Sequence, residues 1–395
     1  MRNLLIILLL CFSTSPVWSK NKLWTCINEK GQTVFTIEAI RVYEFQNGLA
    51  RVYKNTLVNN AWVTGYGFIN KKGEVVIPCD LDKAYDFLGD YIWVKMANQD
   101  YFTLIDKKGT IIPTKQYKKV GKFYKSQNEI CAVYENAKMG FIDQTGKEIV
   151  PCKYLGSSYF SNGLVCLTLY DGTEEKYGFM NKNGKFVIPM KYKQAGTSSF
   201  YNGRARVKVD GKTVLIDTTG KVVFKTLHGN IQGVYNNLVC TFKGKNRTGW
   251  GWVNFKDEVV IPQIYDHAVN FNDDGLAIVE LNDLVGVIDT TGKVVIPLKY
   301  KTIYCDITKD GFIMCVLPST TNESLMNAKK DYFNANFEPI NTSKYQYVMH
   351  ANHSVYMPFK QNDKWGFLNK SFEIIIPAQY KKVKKFTEGL AFVLN

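Results

Sequence analysis

Aspartate and histidine side chains are the first candidates for chemistry, because general acid–base work and metal binding both need such groups. Four aspartates share one context, in which an aromatic or β-branched run precedes the aspartate and a glycine follows three residues later: Asp106, Asp143, Asp217 and Asp289. A carboxylate at a recurring turn position bonds to nearby backbone amides. We therefore expect these aspartates to shape turns and not to act as acids or bases.

The four histidines of the chain are His228, His267, His350 and His353. The His350-Ala-Asn-His353 spacing could hold a metal ion if it lay on a helix. No glutamate completes an HExxH pattern, and the neighbouring residues favour strand or loop. The sequence therefore indicates no catalytic, metal-ligating or cofactor-binding residue and no cofactor.

Cysteine spacing likewise gives no metal or redox motif, since no CxxC pair is present. Beyond the first nineteen residues, the chain has these cysteines: Cys26, Cys79, Cys131, Cys152, Cys166, Cys240, Cys305 and Cys315. We expect these cysteines to be buried and to pack as small apolar residues. One or two disulfides remain possible if the chain is exported, with a pairing that the sequence does not determine.

The first nineteen residues have the pattern of a secretory signal peptide. Arg2 gives a positive start, an apolar run extends from Leu4 to Phe12, and small residues precede Lys20. A membrane anchor would need about 20 consecutive apolar residues, which this run lacks. We expect export, to a periplasmic, cell-surface or secreted location.

The formal charge of +15 comes mostly from lysine, because only six of the fifty basic residues are arginine. Arginine's planar fork suits bidentate phosphate contacts, so a lysine excess favours a diffuse positive surface over a specific nucleic-acid site. An anionic envelope polymer would be a suitable partner. AT-rich coding bias is an alternative cause of the same composition.

The elements that carry these residues repeat along the chain. Residues 66–78, YGFINKKGEVVIP, predict a β-hairpin whose Asn70-Lys-Lys-Gly73 turn joins two strands rich in aromatic and β-branched residues. The Asn/Asp-x-x-Gly turn, or its first residue alone, occurs ten times, mostly 35 to 38 residues apart. The turns begin at Asn28, Asn70, Asp106, Asp143, Asn181, Asp217, Asn254, Asp289, Asn334 and Asn369.

Each copy contains more than the hairpin. An aromatic-Gly pair opens the full copies, Ile-Pro or Val-Pro closes the second strand, and a Phe and a Gly precede a third apolar strand. A tyrosine follows the proline at a fixed step in five copies: Tyr154, Tyr192, Tyr265, Tyr300 and Tyr380. The unit is thus three strands in about 36 residues.

The pattern resembles the WG-repeat proteins, whose units read approximately WGFIDxxGxxVIPxxYDxAxxFxxGLAxV. The matching segments include residues 364–394 and 250–279, and the resemblance covers residues 23–395. It implies a mostly bacterial, often exported repeat protein. It defines no catalytic or ligand-binding residues, and it implies no common activity.

One such unit buries too little apolar surface to offset the conformational entropy of its residues. Stability must then come from contacts between units, as in a quasi-one-dimensional array. We predict an all-β tandem array of about ten three-stranded units, open and curved like a solenoid. A closed propeller is the alternative, although propellers usually have four to eight blades of four strands.

Four segments follow from this pattern. Residues 1–19 are the signal peptide, 20–316 hold repeats one to eight, 317–358 form a degenerate or irregular repeat, and 359–395 form the final repeat.

Aromatic residues could serve as platforms on which sugars stack. Trp24, Trp250 and Trp365 share one repeat position, where a large ring more simply fills the core between units, and we expect the same of the repeated tyrosines. Trp62 and Trp93 lie outside that position.

The sequence favours a non-enzymatic binding or scaffold protein that presents a multivalent surface to a protein or an anionic envelope polymer. It predicts no specific nucleic-acid partner and no membrane span, and it does not identify binding residues. The competing hypothesis is a hydrolase of envelope polysaccharide with its site in the irregular ninth repeat.

Overall fold

The computed structural model describes residues 19–58, 60–87, 89–121, 130–158, 160–193, 199–244, 248–304, 312–318, 328–349 and 354–395. Within these ranges the chain forms 38 β-strands and no helix.

The strands of the first three units are β1 (Lys22–Asn28), β2 (Thr33–Ala39), β3 (Arg41–Gln46), β4 (Leu49–Val58), β5 (Ala61–Asn70), β6 (Val75–Ala84), β7 (Tyr91–Met96), β8 (Phe102–Asp106) and β9 (Ile111–Tyr117). Those of the next three units are β10 (Lys119–Val120), β11 (Cys131–Glu135), β12 (Lys138–Ile142), β13 (Glu148–Tyr154), β14 (Gly156–Ser157), β15 (Leu164–Tyr170), β16 (Glu175–Asn181), β17 (Phe186–Tyr192), β18 (Arg204–Val209), β19 (Lys212–Asp217) and β20 (Val222–Phe224).

The following two units contain β21 (Asn230–Tyr235), β22 (Leu238–Lys243), β23 (Thr248–Asn254), β24 (Val259–Tyr265), β25 (His267–Ala268), β26 (Leu276–Leu281), β27 (Leu284–Asp289) and β28 (Val294–Tyr300). The last strands are β29 (Thr302–Tyr304), β30 (Phe312–Val316), β31 (Lys330–Asn334), β32 (Pro339–Ile340), β33 (Tyr347–Val348), β34 (Met357–Gln361), β35 (Lys364–Leu368), β36 (Ile374–Tyr380), β37 (Lys382–Val383) and β38 (Leu390–Leu394).

The predicted hairpin at residues 66–78 forms from β5 and β6. Its turn is closed by the Gly73 amide, which donates to the Asn70 carbonyl at 3.0 Å. The Asn70 side-chain oxygen accepts hydrogen bonds from the amides of Lys72 and Glu74 at 2.9 and 3.1 Å. Gly73 has a φ of 85°, a conformation that costs glycine little.

The glycine of the aromatic-Gly pair allows two strands to approach closely. A Cβ added to Gly140 would lie 2.4 Å from the Val150 carbonyl oxygen, and one added to Gly366 would lie 2.5 Å from that of Ile376. The strand pairing is irregular at both places, so the Ile-Pro or Val-Pro strand bulges over the glycine.

One strand of each unit leads directly into the next sheet. In the long strand β6, Leu81 pairs with Tyr66 of β5 and with Met96 of β7, so the seven strands β3 to β9 form one sheet. At five other places, after Tyr117, Tyr154, Tyr265, Tyr300 and Tyr380, one residue interrupts this strand, and the short piece that follows becomes the edge strand of the next four-stranded sheet. In these sheets the three predicted strands are joined by a short fourth.

Successive units bury their apolar faces against each other. The indole rings of Trp250 and Trp252, for example, share a core with Ala277, Val279 and Ile288 of the following unit. Similar mixed clusters join the other neighbouring units of the described chain. The all-β tandem array predicted from the sequence is confirmed.

The first and last units share one sheet, of order β2-β1-β38-β37. Four residue pairs join β1 to β38, from Thr25 opposite Val393 to Asn28 opposite Leu390. Neither terminal unit has enough strands for a full sheet, so each completes the other.

Residues 317–358, predicted to be degenerate or irregular, contain β31 to β33 and the start of β34 in their described part. The Asn334 turn forms although Phe337 replaces its glycine, with φ at 64°. Asp257 and Phe372 occupy the same position in two other turns, with φ of 63° and 61°.

Candidate functional site

The carboxylates of the turn aspartates accept hydrogen bonds from groups of their own turns. The Asp217 carboxylate accepts hydrogen bonds from the Thr219 hydroxyl at 2.6 Å and from the amides of Thr219 and Lys221 at 2.9 and 3.0 Å. The hydroxyl, followed by the amides, lowers the pKa of Asp217. Asp106, Asp143 and Asp289 accept the same two backbone hydrogen bonds. This geometry fits the structural role expected of them.

The two described histidines lie in separate units. His228 Nε2 lies 3.1 Å from the Asp257 carbonyl oxygen, and the His267 ring packs on Trp250 at 5.0 Å between centroids. His350 and His353 lie outside the described residues. Within the part of the chain that the structure describes, no three Asp, Glu, His or Cys side chains cluster where they could hold a metal ion.

The cysteines lie in the cores between strands. None of the seven described cysteines forms a disulfide, and all but the half-buried Cys152 are buried; Cys305 lies outside these residues. Burial raises the pKa of Cys26 and Cys166 to about 12 and that of Cys79 to about 11. These thiols stay protonated near neutral pH, so they are poor nucleophiles.

The repeated aromatic residues form the core, as expected. All five repeated tyrosines are buried, as are Trp24 and Trp250, while Trp365 is half-buried. The Tyr192 hydroxyl donates to the Gly220 carbonyl of the next unit at 3.1 Å, and the Tyr300 hydroxyl donates to Asp331 at 2.7 Å. Trp93 is buried and its ring nitrogen contacts Cys131 Sγ at 3.1 Å.

Four of the five repeated tyrosines have an exposed lysine on one or both sides. In a β-strand neighbouring side chains point to opposite faces, so a buried tyrosine turns the residues beside it toward solvent. We use "lysine band" for the exposed lysines next to a repeated tyrosine, or next to the equivalent Tyr117 and Tyr345. They are Lys118, Lys153, Lys191, Lys193, Lys299, Lys301, Lys344 and Lys381.

Three members of the lysine band form ion pairs. Lys193 pairs with Glu174 at 2.8 Å, Lys299 pairs with Asp331 at 3.2 Å, and Lys118 pairs with Asp100. The remaining five make no ion pair with a carboxylate in the described ranges: Lys153, Lys191, Lys301, Lys344 and Lys381. Three of the five ammonium groups lie 5.0 to 5.5 Å from the ring of the adjacent tyrosine.

The lysine band consists of two runs. Asp266 follows Tyr265 in the seventh unit, one of the two units between the runs. Asp80 and Asp82 flank Leu81, which stands at the tyrosine position of the second unit. One run therefore covers the third to fifth units, and the other covers the eighth to tenth. Because the units are alike, each run repeats the same presentation of positive charge.

A pocket of about 970 Å³ adjoins the first run, between β17 and the β18–β19 hairpin. Its charged lining residues are Lys191, Lys193, Lys208, Glu174, Glu175 and Asp210. Three ammonium groups face three carboxylates, so the pocket itself does not favour an anion. The lysines of the band that lie outside the pocket do favour an anion.

Sequence reasoning identified neither the lysine band nor any other binding residue. Its signal is the lysine beside the repeated tyrosine, as in Lys191-Tyr192-Lys193 and Lys299-Tyr300-Lys301. That signal becomes informative only when the tyrosine is known to be buried.

No curated protein sequence matches the chain. The described residues contain no helix with the length and apolar character needed to cross a membrane.

Several solved structures are similar to the chain at low sequence identity. A eukaryotic initiation factor is similar with 10% identity and a TM-score of 0.47, covering 82% of this chain and 96% of that one. Apo AztD from Citrobacter koseri has 10% identity and a TM-score of 0.30, with 82% and 94% covered. Hsv2 from Kluyvelomyces marxianus has 14% identity and a TM-score of 0.28, with 70% and 89% covered. Likenesses of this degree carry no argument about function.

The sequence model of the WG containing repeat matches seven segments that together span more than half of the chain: residues 24–56, 66–99, 139–168, 177–212, 250–284, 286–313 and 365–395. These segments contain the aromatic-Gly pairs, bulged strands and turns described above. The chain belongs to the family of proteins built from WG-containing repeats.

Proposed function

We propose that this protein is an exported, non-enzymatic binding or scaffold protein whose lysine band engages an anionic cell-envelope polymer. The observation that carries the proposal is the recurrence of an exposed lysine beside the same buried tyrosine in successive units.

Multiplicity is the physical basis of the proposed affinity. An exposed ion pair contributes only about 0.2–1 kcal/mol, so one lysine would hold a polymer too weakly to matter. Several lysines on one rigid array raise the effective concentration of each further contact, because the first contact keeps the polymer close. A long, regularly charged partner satisfies this arrangement better than a small anion.

The composition supports a polymer without bases as the partner. Of the few arginines, Arg51 is held by Asp86 at 3.0 Å and by the Ala84 carbonyl, and Arg206 is held by the carbonyls of Ile231 and Gln232. These guanidinium groups bridge neighbouring units and are not available for bidentate phosphate contacts. Lysine ammonium groups act as point charges and suit a partner recognised by charge density.

Binding of cell-envelope polysaccharide to the protein tests the proposal. Immobilised protein lacking residues 1–19 is incubated with cell-envelope polysaccharide at low salt, and the bound anionic polymer is then released with high salt. We expect binding at low salt and release at high salt, because exposed charge contacts are screened within about 10 Å at 0.1 M salt.

Two matched variants give this experiment its control. The band variant replaces five unpaired lysines by glutamine: Lys153, Lys191, Lys301, Lys344 and Lys381. The control variant replaces five exposed turn lysines by glutamine: Lys30, Lys72, Lys108, Lys182 and Lys256. Both lose the same formal charge. Loss of polymer in the band variant alone supports the proposal, whereas equal loss in both variants, or no capture by the wild type, contradicts it.

A further inference from the structure

The β4–β5 hairpin is longer than the other hairpins of the described chain. Ten residue pairs join its strands, from Leu49 opposite Asn70 to Val58 opposite Ala61. The β15–β16 hairpin, which is next in length, has seven pairs. At about 3.4 Å per residue, the three additional pairs extend β4–β5 by about 10 Å.

Two large apolar side chains lie side by side at the end of this hairpin. Leu57 and Trp62 are directly opposite each other in the ladder, and they are 54% and 62% exposed. The other tryptophans of the described chain are buried or half-buried. Residues 55–65, NTLVNNAWVTG, contain no charged side chain. Leu57 and Trp62 therefore form an exposed apolar surface at the end of the hairpin, and the hairpin residues around them carry no charge.

The base of the hairpin is fixed and carries lysines. The Asn21 side chain donates to the Asn55 carbonyl at 3.2 Å and accepts from the Asn55 amide at 3.1 Å. These contacts place the exposed Lys20 and Lys22 beside β4, which itself carries Lys54.

Acidic residues near the base only partly balance these charges. Asp80 lies beside Gly65 on β6, and Glu38 stands opposite Leu23 on β2. Three lysines lie near two carboxylates, so the base of the hairpin is net positive and complements an anionic surface.

We propose that the β4–β5 hairpin inserts Leu57 and Trp62 into the interface of an anionic phospholipid bilayer, with Lys20, Lys22 and Lys54 on the lipid headgroups. Tryptophan prefers the boundary between headgroups and acyl chains. Interfacial elements bury their apolar face about 5–10 Å deep, which matches the additional length of this hairpin. The hairpin would hold the array at a membrane surface while the lysine band, on other units, binds its polymer.

Vesicle sedimentation tests this inference. Protein lacking residues 1–19, which retains every strand described above, is mixed with vesicles of equal parts phosphatidylglycerol and phosphatidylcholine, or of phosphatidylcholine alone. A variant with both Leu57→Ala and Trp62→Ala should bind the anionic vesicles at least tenfold more weakly than the wild type, because the burial energy of both side chains is lost. Leu227→Ala, which shortens a leucine that is 92% exposed elsewhere, should leave binding unchanged.

The outcomes separate insertion from charge attraction alone. The double variant keeps the lysine band, so equal binding of the double variant and the wild type overturns the proposal. An equal loss in Leu227→Ala also overturns it. Vesicles with brominated acyl chains should quench the fluorescence of the wild type but not that of Trp62→Ala, and absence of this difference excludes insertion. Equal binding of the wild type to both lipid mixtures overturns the role given to the lysines.

Discussion

Cys26 of the first strand lies opposite Phe392 of the last strand, 366 positions further along the chain. The Phe392 ring stacks on Phe45 with centroids 5.5 Å apart and meets Phe35 edge-on at 6.0 Å. Next to this ladder, the Glu388 carboxylate accepts a hydrogen bond from the Gly48 amide and pairs with Lys71, both at 3.0 Å. The end of the chain is thus part of the core of its beginning.

The first prediction concerns this junction. Phe392→Ala should lower the free energy of unfolding by about 3–5 kcal/mol, the usual cost of removing a buried phenylalanine ring, although the residue is close to the C-terminus. Urea denaturation measures the change, with Leu227→Ala as an exposed control expected to stay within about 0.5 kcal/mol. An equally small effect at Phe392 would mean that the ends are not joined.

The second prediction concerns the bulged strands. Gly140→Ala places a methyl group 2.4 Å from the Val150 carbonyl oxygen, and overlap with backbone is not relieved by a rotamer change. We expect the free energy of unfolding, measured by urea denaturation, to fall by about 1–3 kcal/mol or more. Gly156→Ala is the matched control, because nothing lies within 4 Å of its added methyl group. Equal stability of the two variants would contradict the close approach.

The third prediction weighs backbone strain against burial at Phe372. This residue has φ at 61°, which costs a side-chain-bearing residue roughly 1–2 kcal/mol relative to glycine. Its ring, however, is buried against Phe312 at 5.4 Å, and removal of such a ring costs about 3–5 kcal/mol. Phe372→Gly should therefore be destabilising. A thermal midpoint above that of the wild type would show that strain outweighs packing.

The fourth prediction concerns the buried thiols. A pKa raised on folding stabilises the folded state fully below the unfolded value of 9.0, and that contribution is lost as pH rises toward the folded values of about 11 for Cys79 and about 12 for Cys26. The urea midpoint should therefore fall between pH 9 and 11. Cys26→Ala with Cys79→Ala should show a smaller fall over this range, and an unchanged fall would assign it to other groups.

The same burial predicts slow thiol labelling. At pH 8 a disulfide reagent should modify Cys26, Cys79 and Cys166 much more slowly in the native protein than in urea, because burial covers these thiols and disfavours the reactive thiolate. The half-buried Cys152 is the internal comparison and should react sooner. Rapid native labelling of Cys26 or Cys79 would contradict the packing at the junction between the ends.

Much of the fold could be predicted from the sequence, because its units are local. The Asn70-Gly73 turn and its two strands depend on residues that lie within one short segment. The pairing of Cys26 with Phe392 was not foreseen, since the segments look like ordinary hairpin strands and nothing in either specifies a distant partner. The sequence also does not predict the short fourth strand of several sheets, because two or three residues carry no periodicity.

The candidate site was harder to predict than the fold. A lysine in this composition is unremarkable by itself, and Lys191 or Lys301 becomes notable only when burial of Tyr192 and Tyr300 fixes its direction. Trp62 lies outside the repeat pattern, but its exposure at the end of a lengthened hairpin follows only from the pairing of β4 with β5.

The most direct test of the proposed function is the salt dependence of binding to dextran sulfate, a sulfated polymer with no bases. We predict that the logarithm of the wild-type binding constant falls linearly with the logarithm of salt concentration. The band variant should have a slope shallower by about two to four, because each lost contact removes somewhat less than one released counterion, while the turn-lysine control should keep the wild-type slope. Identical slopes for the wild type and the band variant would contradict the assignment of binding to the lysine band.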